Sequence, residues 1–176
     1  MCKKVVFVGP PRSGKTTLIN RLLDYYRKQN YIIYGFLTPE IIRGNKRIGF
    51  NIFNLSNNKT YKFARKGNYK TDLKLGNYSI FLESFKRLIE ELKKLNYNSS
   101  DILILDEIGK MELYSKDFEN FLYKIFTKEI NIIASIGEKL HHPVKQFILN
   151  NTNVITFHLN LQNQEEIFDK VIEILF

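Results

Sequence analysis

Residues 5–17 read Val5-Val6-Phe7-Val8-Gly9-Pro10-Pro11-Arg12-Ser13-Gly14-Lys15-Thr16-Thr17. Val5 to Val8 are apolar and mostly β-branched, which predicts a buried strand. Gly9 to Thr16 meets the spacing G-x-x-x-x-G-K-[ST] in full, the phosphate-loop or Walker A pattern. Beyond it Leu18, Leu22, Tyr25 and Tyr26 recur at helical spacing. Strand, loop and helix therefore follow in the order the pattern needs.

Such a stretch aims several backbone N–H groups and the positive end of a helix dipole at one point, where an anion binds. Gly9 lets the backbone approach phosphate oxygens with no Cβ in the way, and Gly14 does the same at the helix start. Lys15 supplies a point charge for the β- and γ-phosphates, and the Thr16 hydroxyl is a ligand for Mg2+. The run Gly9, Pro10, Pro11, Arg12, Ser13, Gly14, Lys15, Thr16 and Thr17 is assigned to binding a nucleoside triphosphate.

The length, 176 residues, suits one α/β domain over 1–176. Residues 1–75 carry 16 Lys and Arg against 3 Asp and Glu, while residues 76–176 carry 11 against 15. A basic half can attract nucleic acid, a membrane surface or a nucleotide's polyphosphate. Nucleic acid is not favoured, because no aromatic-basic RNA signature accompanies the charge. Cys2 is the only cysteine, which excludes an internal disulfide and suits a reducing compartment. No apolar run approaches the ~18–20 residues of a membrane span. The chain enters its first strand at once, so no signal peptide is expected. A cytoplasmic protein, monomeric by default, is the expectation.

Tyr31–Thr38, Lys46–Leu55 and Thr60–Ala64 read as strands, joined by turn residues at Arg43-Gly44-Asn45 and Ser56-Asn57-Asn58. Connections this short force antiparallel pairing. A small antiparallel meander is expected at about 38–80, with residues 65–78 as a mobile basic loop. Helical periodicity returns from Leu82 through Phe85, Leu88, Ile89, Leu92 and Leu95. Asp101–Asp106 and Ile130–Ser135 read as buried parallel strands, with a Ser115-capped helix between them. Pro143 starts a short helix, Val154–Phe157 is the last strand, and Asn163 with Glu166 predicts a capping box for a helix over 165–175. The alternation predicts an α/β fold of the P-loop NTPase type: a doubly wound, mostly parallel sheet flanked by helices, with a small antiparallel strand insertion. Ligands of such sheets lie at the carboxyl ends of the strands.

Ile102-Leu103-Ile104-Leu105 runs into Asp106-Glu107-Ile108-Gly109. An acid ending a strand beside the phosphate loop is the Walker B partner, and Asp106 with Thr16 is assigned to Mg2+. Glu107, one step on, suits the orientation and deprotonation of an attacking water. Lys15 and Glu107 are the catalytic candidates, and the segment Ile102 to Gly109 joins the nucleotide-binding set. Asp106-Glu107-Ile108-Gly109 also fits the D-x-x-G of GTP switches. Neither Asn45-Lys46 nor Asn58-Lys59 completes N-K-x-D, which argues against guanine-specific switching. Ser135, closing its strand, is a candidate γ-phosphate contact or a plain strand-end residue. His141 and His142 read as surface loop.

Phe36-Leu37-Thr38-Pro39-Glu40, Lys46-Arg47-Ile48-Gly49-Phe50, Gly76-Asn77-Tyr78-Ser79-Ile80 and Asp106-Glu107-Ile108-Gly109-Lys110-Met111-Glu112-Leu113 occur in that order. With the phosphate loop, they make the chain resemble, over nearly its whole length, the thermophile-type nucleoside-triphosphatase family. The resemblance implies Mg2+-dependent hydrolysis of ATP, GTP and other nucleoside triphosphates to diphosphate and phosphate, with broad base tolerance. There are departures. Arg12 stands where a glycine is common in the family. Ile42 replaces a frequent arginine, which leaves Arg47, retained in register, as the candidate phosphate contact from the meander. Asn163-Gln164 replaces an Asn-Arg pair. Two rival readings are a nucleoside or nucleotide kinase and a nucleic-acid-associated ATPase.

Overall fold

Strand β1 (Lys4–Gly9) is buried along its whole length, and its alternation divides the protein into two cores. Val5 and Phe7 pack under α1 (Lys15–Lys28), while Val6 and Val8 face the opposite layer. The computed structural model describes residues 2–175.

After α1 the chain forms β2 (Ile33–Leu37), then β3 (Glu40–Arg43), β4 (Lys46–Asn54), β5 (Lys59–Lys66), β6 (Leu73–Leu75) and β7 (Tyr78–Ile80). Then come α2 (Glu83–Lys94), β8 (Ile102–Ile108), α3 (Lys116–Ile125), β9 (Asn131–Gly137), α4 (Pro143–Leu149), β10 (Val154–His158) and α5 (Gln164–Leu175). All strands join one sheet in the order β10-β1-β9-β8-β2-β4-β5-β7-β6, with β3 also on β4. Pairing is parallel from β10 to β2 and antiparallel beyond β2. Helices α1 and α5 cover one face, and α2, α3 and α4 cover the other. This is the doubly wound, mostly parallel α/β sheet that the element order implied. No helix among the described residues is long and apolar enough to cross a membrane.

An aromatic cluster holds the antiparallel strands against the parallel part. Phe85 of α2 meets Phe36 of β2 at 5.2 Å, Phe118 of α3 at 5.1 Å and Phe63 of β5 at 5.5 Å between ring centroids. Each ring contributes about 1.5–3 kcal/mol by burial, with edge-on packing adding to it. The strands β3 and β4 are thereby held as one wall of the cleft above the phosphate loop.

The structure departs from the sequence reading in three places. Residues 65–78 are not a free loop. β5 runs on to Lys66, and β6 and β7 form a hairpin around Gly76-Asn77, with Gly76 in the left-handed region at φ +54°. Their alternation, Leu73, Leu75, Tyr78 and Ile80, is short and interleaved with charge, which hid it. β3 extends the run from β2 past Pro39, where sequence reading placed no strand. The capping box at α5 does not form. Asn163 Oδ1 accepts from the Asn160 N–H, its amide donates to the His158 carbonyl, and Glu166 pairs with Lys170. The loop's own backbone groups outcompete the helix end for the Asn163 side chain.

Candidate active site

The phosphate loop joins β1 to α1. The Ser13 N–H donates to the Pro10 carbonyl at 3.2 Å and closes a four-residue turn. Pro11 takes its second position, and Arg12, at φ +65°, its third. That is the arrangement of a type II turn, whose third position is normally glycine. Holding arginine there costs roughly 1 kcal/mol. Gly9 admits no Cβ, which would fall 2.6 Å from Ser13 Oγ and 2.7 Å from the Leu159 carbonyl.

α1 begins at Gly14 with no capping side chain and no acid in its first turn. α3, by contrast, begins with the Ser115 hydroxyl accepting from the Phe118 N–H at 3.3 Å. Gly14, Lys15, Thr16 and Thr17 line the cleft, so the first N–H groups of α1 and its dipole suit an anion there. The Lys15 ammonium donates to the Gly9 and Pro10 carbonyls, both at 2.9 Å, across the loop.

β9 lies between β1 and β8, so the carboxyl ends of all three meet at this point. Asp106, at the end of β8, is fully buried. Its Oδ2 accepts from Thr16 Oγ1 at 2.9 Å, and its Oδ1 from Ser135 Oγ at 2.5 Å. Burial pushes its carboxyl up, against the Ser135 and Thr16 hydrogen bonds and the Lys15 charge, which pull it down. Glu107 is half-buried on the cleft wall, close against Gly137. Burial raises it too; Lys15 and Arg47 oppose that rise, while Asp106 and Glu40 add to it. Behind Gly109 sits a third acid, Glu112, whose carboxyl is pushed up to about 8 by burial first and then by Glu107.

The cleft holds about 840 Å³, within the range of small-molecule sites. β3 and β4 supply one wall with Glu40, Arg47 and Phe50. Arg47 donates to Glu40 at 2.6 Å and to the Tyr78 hydroxyl at 3.2 Å. At another edge stand Lys139, Leu140, Leu161 and Gln164.

Several residues named from sequence hold other places than expected. Ser135 is fully buried against Asp106 and does not line the cleft, so it braces the acid in place of reaching a phosphate. Ile102, Leu103, Ile104, Leu105 and Ile108 are fully buried, divided between the two cores. They fix the height of Asp106 and Glu107 without side-chain access to a nucleotide. His142 is more than surface loop: its Nδ1 accepts from the Val144 N–H at 3.3 Å and caps α4.

Two contacts had no sequence signal of their own. Thr38 Oγ1 donates to the Asp106 carbonyl at 2.7 Å, and Gln164 Nε2 donates to the Ser13 carbonyl at 3.4 Å. Each lies where a chain segment leaves a strand end next to the loop, which only the strand order reveals.

Among the described residues no group of three or more His, Cys, Asp or Glu is arranged to hold a metal alone. The Thr16 hydroxyl and Asp106 carboxylate are an all-oxygen pair. That is the donor set of a hard cation whose remaining ligands are water and substrate phosphates.

A family model described as NTPase matches residues 4–172. The chain is 30% identical over 174 residues to the nucleoside-triphosphatase THEP1 of Methanopyrus kandleri, covering 98% of this chain and 95% of that one. It is 31% identical over 172 residues to the THEP1 of Thermotoga maritima, at the same coverage. The crystal structure of THEP1 from Aquifex aeolicus superposes with a TM-score of 0.84 at 26% identity, over 98% of both chains. The solution structure of a human cancer-related nucleoside triphosphatase gives 0.79 at 27% identity, over 98% of this chain and 96% of that one.

Proposed function

The chain belongs to the NTPase family and is a nucleoside-triphosphatase, and from that premise we propose that it hydrolyses ATP, GTP and other nucleoside triphosphates to diphosphate and phosphate with Mg2+. The observation that carries this reading is the 2.9 Å hydrogen bond between Thr16 of the phosphate loop and buried Asp106. It joins the phosphate-loop threonine to the strand-end acid, and Glu107 lines the same cleft as Lys15, which supports reading them as one nucleotide site.

In this reading the backbone N–H groups of the loop and the Lys15 ammonium hold the triphosphate. Thr16 and Asp106 would hold Mg2+, which supplies charge neutralisation on the phosphate oxygens. Glu107 accepts a proton from a water aligned with the γ-phosphorus. The new bond joins that water oxygen to phosphorus, and the bond to the β–γ bridging oxygen breaks with its electron pair going to the diphosphate. Burial raises the basicity of Glu107, which favours that proton transfer. Broad base tolerance is supported by the apolar side chains of Leu140 and Leu161 on that cleft edge, beside Lys139, and by Gln164, whose amide nitrogen is engaged by the Ser13 carbonyl.

The test is phosphate release and nucleotide consumption measured together across ATP, GTP, CTP, UTP and deoxynucleotides, with and without Mg2+, and with no acceptor added. Equal rates that vanish without Mg2+ are expected. Consumption that needs a nucleoside or nucleotide acceptor would move the chain to the kinases, and consumption that needs RNA to the nucleic-acid-associated ATPases.

A further inference from the structure

Arg12 sits in a backbone conformation that glycine adopts freely and arginine does not, in the loop that wraps a nucleotide's phosphates. A strained residue at such a place is a pointer to function. Its side chain is exposed, lines the cleft, and forms no hydrogen bond, ion pair or ring contact with any described residue. Of the other cations lining the cleft, Lys15 is engaged by two carbonyls and Arg47 by Glu40 and Tyr78, while Lys110 and Lys139 stand outside the phosphate loop. Arg12 lies in the turn of the loop itself, three residues before Lys15.

Resting on the hydrolytic reading above, we propose that the Arg12 guanidinium binds the α- and β-phosphates of the nucleotide as a second cation built into the loop. Its planar fork of donors matches phosphate oxygens in pairs, which a lysine does not. During hydrolysis the electron pair of the broken bond moves onto the diphosphate. Arg12 then faces the group on which negative charge accumulates. The chain thus carries within its own loop a contact of the kind that other phosphoryl-transfer enzymes receive from a separate arginine.

The experiment titrates wild type, Arg12→Gly, Arg12→Gln and Arg12→Lys with nucleoside mono-, di- and triphosphates in Mg2+, beside steady-state phosphate release. Loss of a charge-assisted contact should weaken diphosphate and triphosphate binding alike, by roughly tenfold or more in the Gly and Gln variants. Monophosphate should lose less, kcat should fall in parallel, and Arg12→Lys should fall between. Arg12→Gly should fold normally, since it relieves the turn, and Arg12→Gln decides the matter if it does not. Diphosphate binding at the wild-type level in both Gly and Gln variants would overturn the proposal. A loss confined to triphosphate would overturn its placement on the α- and β-phosphates. If wild type binds nucleotide tightly but releases no phosphate, the hydrolytic reading fails while the Arg12 contact is still measured.

Discussion

Replacing Ser135 by alanine tests how the site holds its acid. Asp106 is fully buried, and its two oxygens accept from Thr16 and from Ser135, the latter at 2.5 Å. A hydrogen bond to an ionised group contributes about 1.5–3 kcal/mol. Losing it removes a contact that favours the ionised carboxylate, so the Asp106 pKa rises. That adds to the upward push that burial already exerts. The sign follows: less of the acid is ionised at a given pH, so a cation competes with a proton more often. Apparent Mg2+ affinity should fall by roughly 10- to 100-fold near neutral pH. The loss should shrink as pH rises past the shifted pKa. The assay is a Mg2+ titration of phosphate release from pH 6 to 9, beside Mg2+-dependent diphosphate binding. A γ-phosphate sensor at Ser135 would leave diphosphate binding untouched, whereas a brace on Asp106 requires that it weaken too. Unchanged Mg2+ dependence at every pH would refute the reasoning.

Glu112 should set an alkaline limit on stability. Its carboxyl is raised to about 8, so its contribution is fully present below about pH 4.5 and is lost as pH rises through 8. Ionising it in the fold costs up to roughly 3–5 kcal/mol, and Glu112→Gln should flatten the fall in urea-unfolding stability between pH 5 and 9. Phe85→Ala removes the ring shared by Phe36, Phe63 and Phe118. It should cost about 3–5 kcal/mol in the same assay and speed hydrogen exchange in β5 and β7 ahead of β1 and β9.

What the sequence showed plainly is what depends on neighbours along the chain. Gly9 to Thr16 are contiguous, and their chemistry lies in the spacing itself. The apolar run ending at Asp106 is a buried strand whatever lies beside it. Ser135 was ambiguous because its partner is 29 residues away, and only the placing of β9 between β1 and β8 brings the two together. Thr38 and Gln164 are polar residues at element ends, indistinguishable by sequence from many others. The hairpin of β6 and β7 was hidden because three-residue strands carry too little pattern to outweigh a basic, Asn-rich setting. Asn163 shows the opposite error, a correct local signal lost to competing partners.

Glu107→Gln, with nucleotide binding and phosphate release followed on the same preparation, probes the hydrolytic account at its centre. The amide keeps the shape of the side chain but accepts no proton. Triphosphate affinity should stay near wild type while turnover falls by roughly 10²- to 10⁴-fold. Turnover at the wild-type rate would remove Glu107 from the role of base, and with it the claim that this pair of acids and the phosphate loop act together on water.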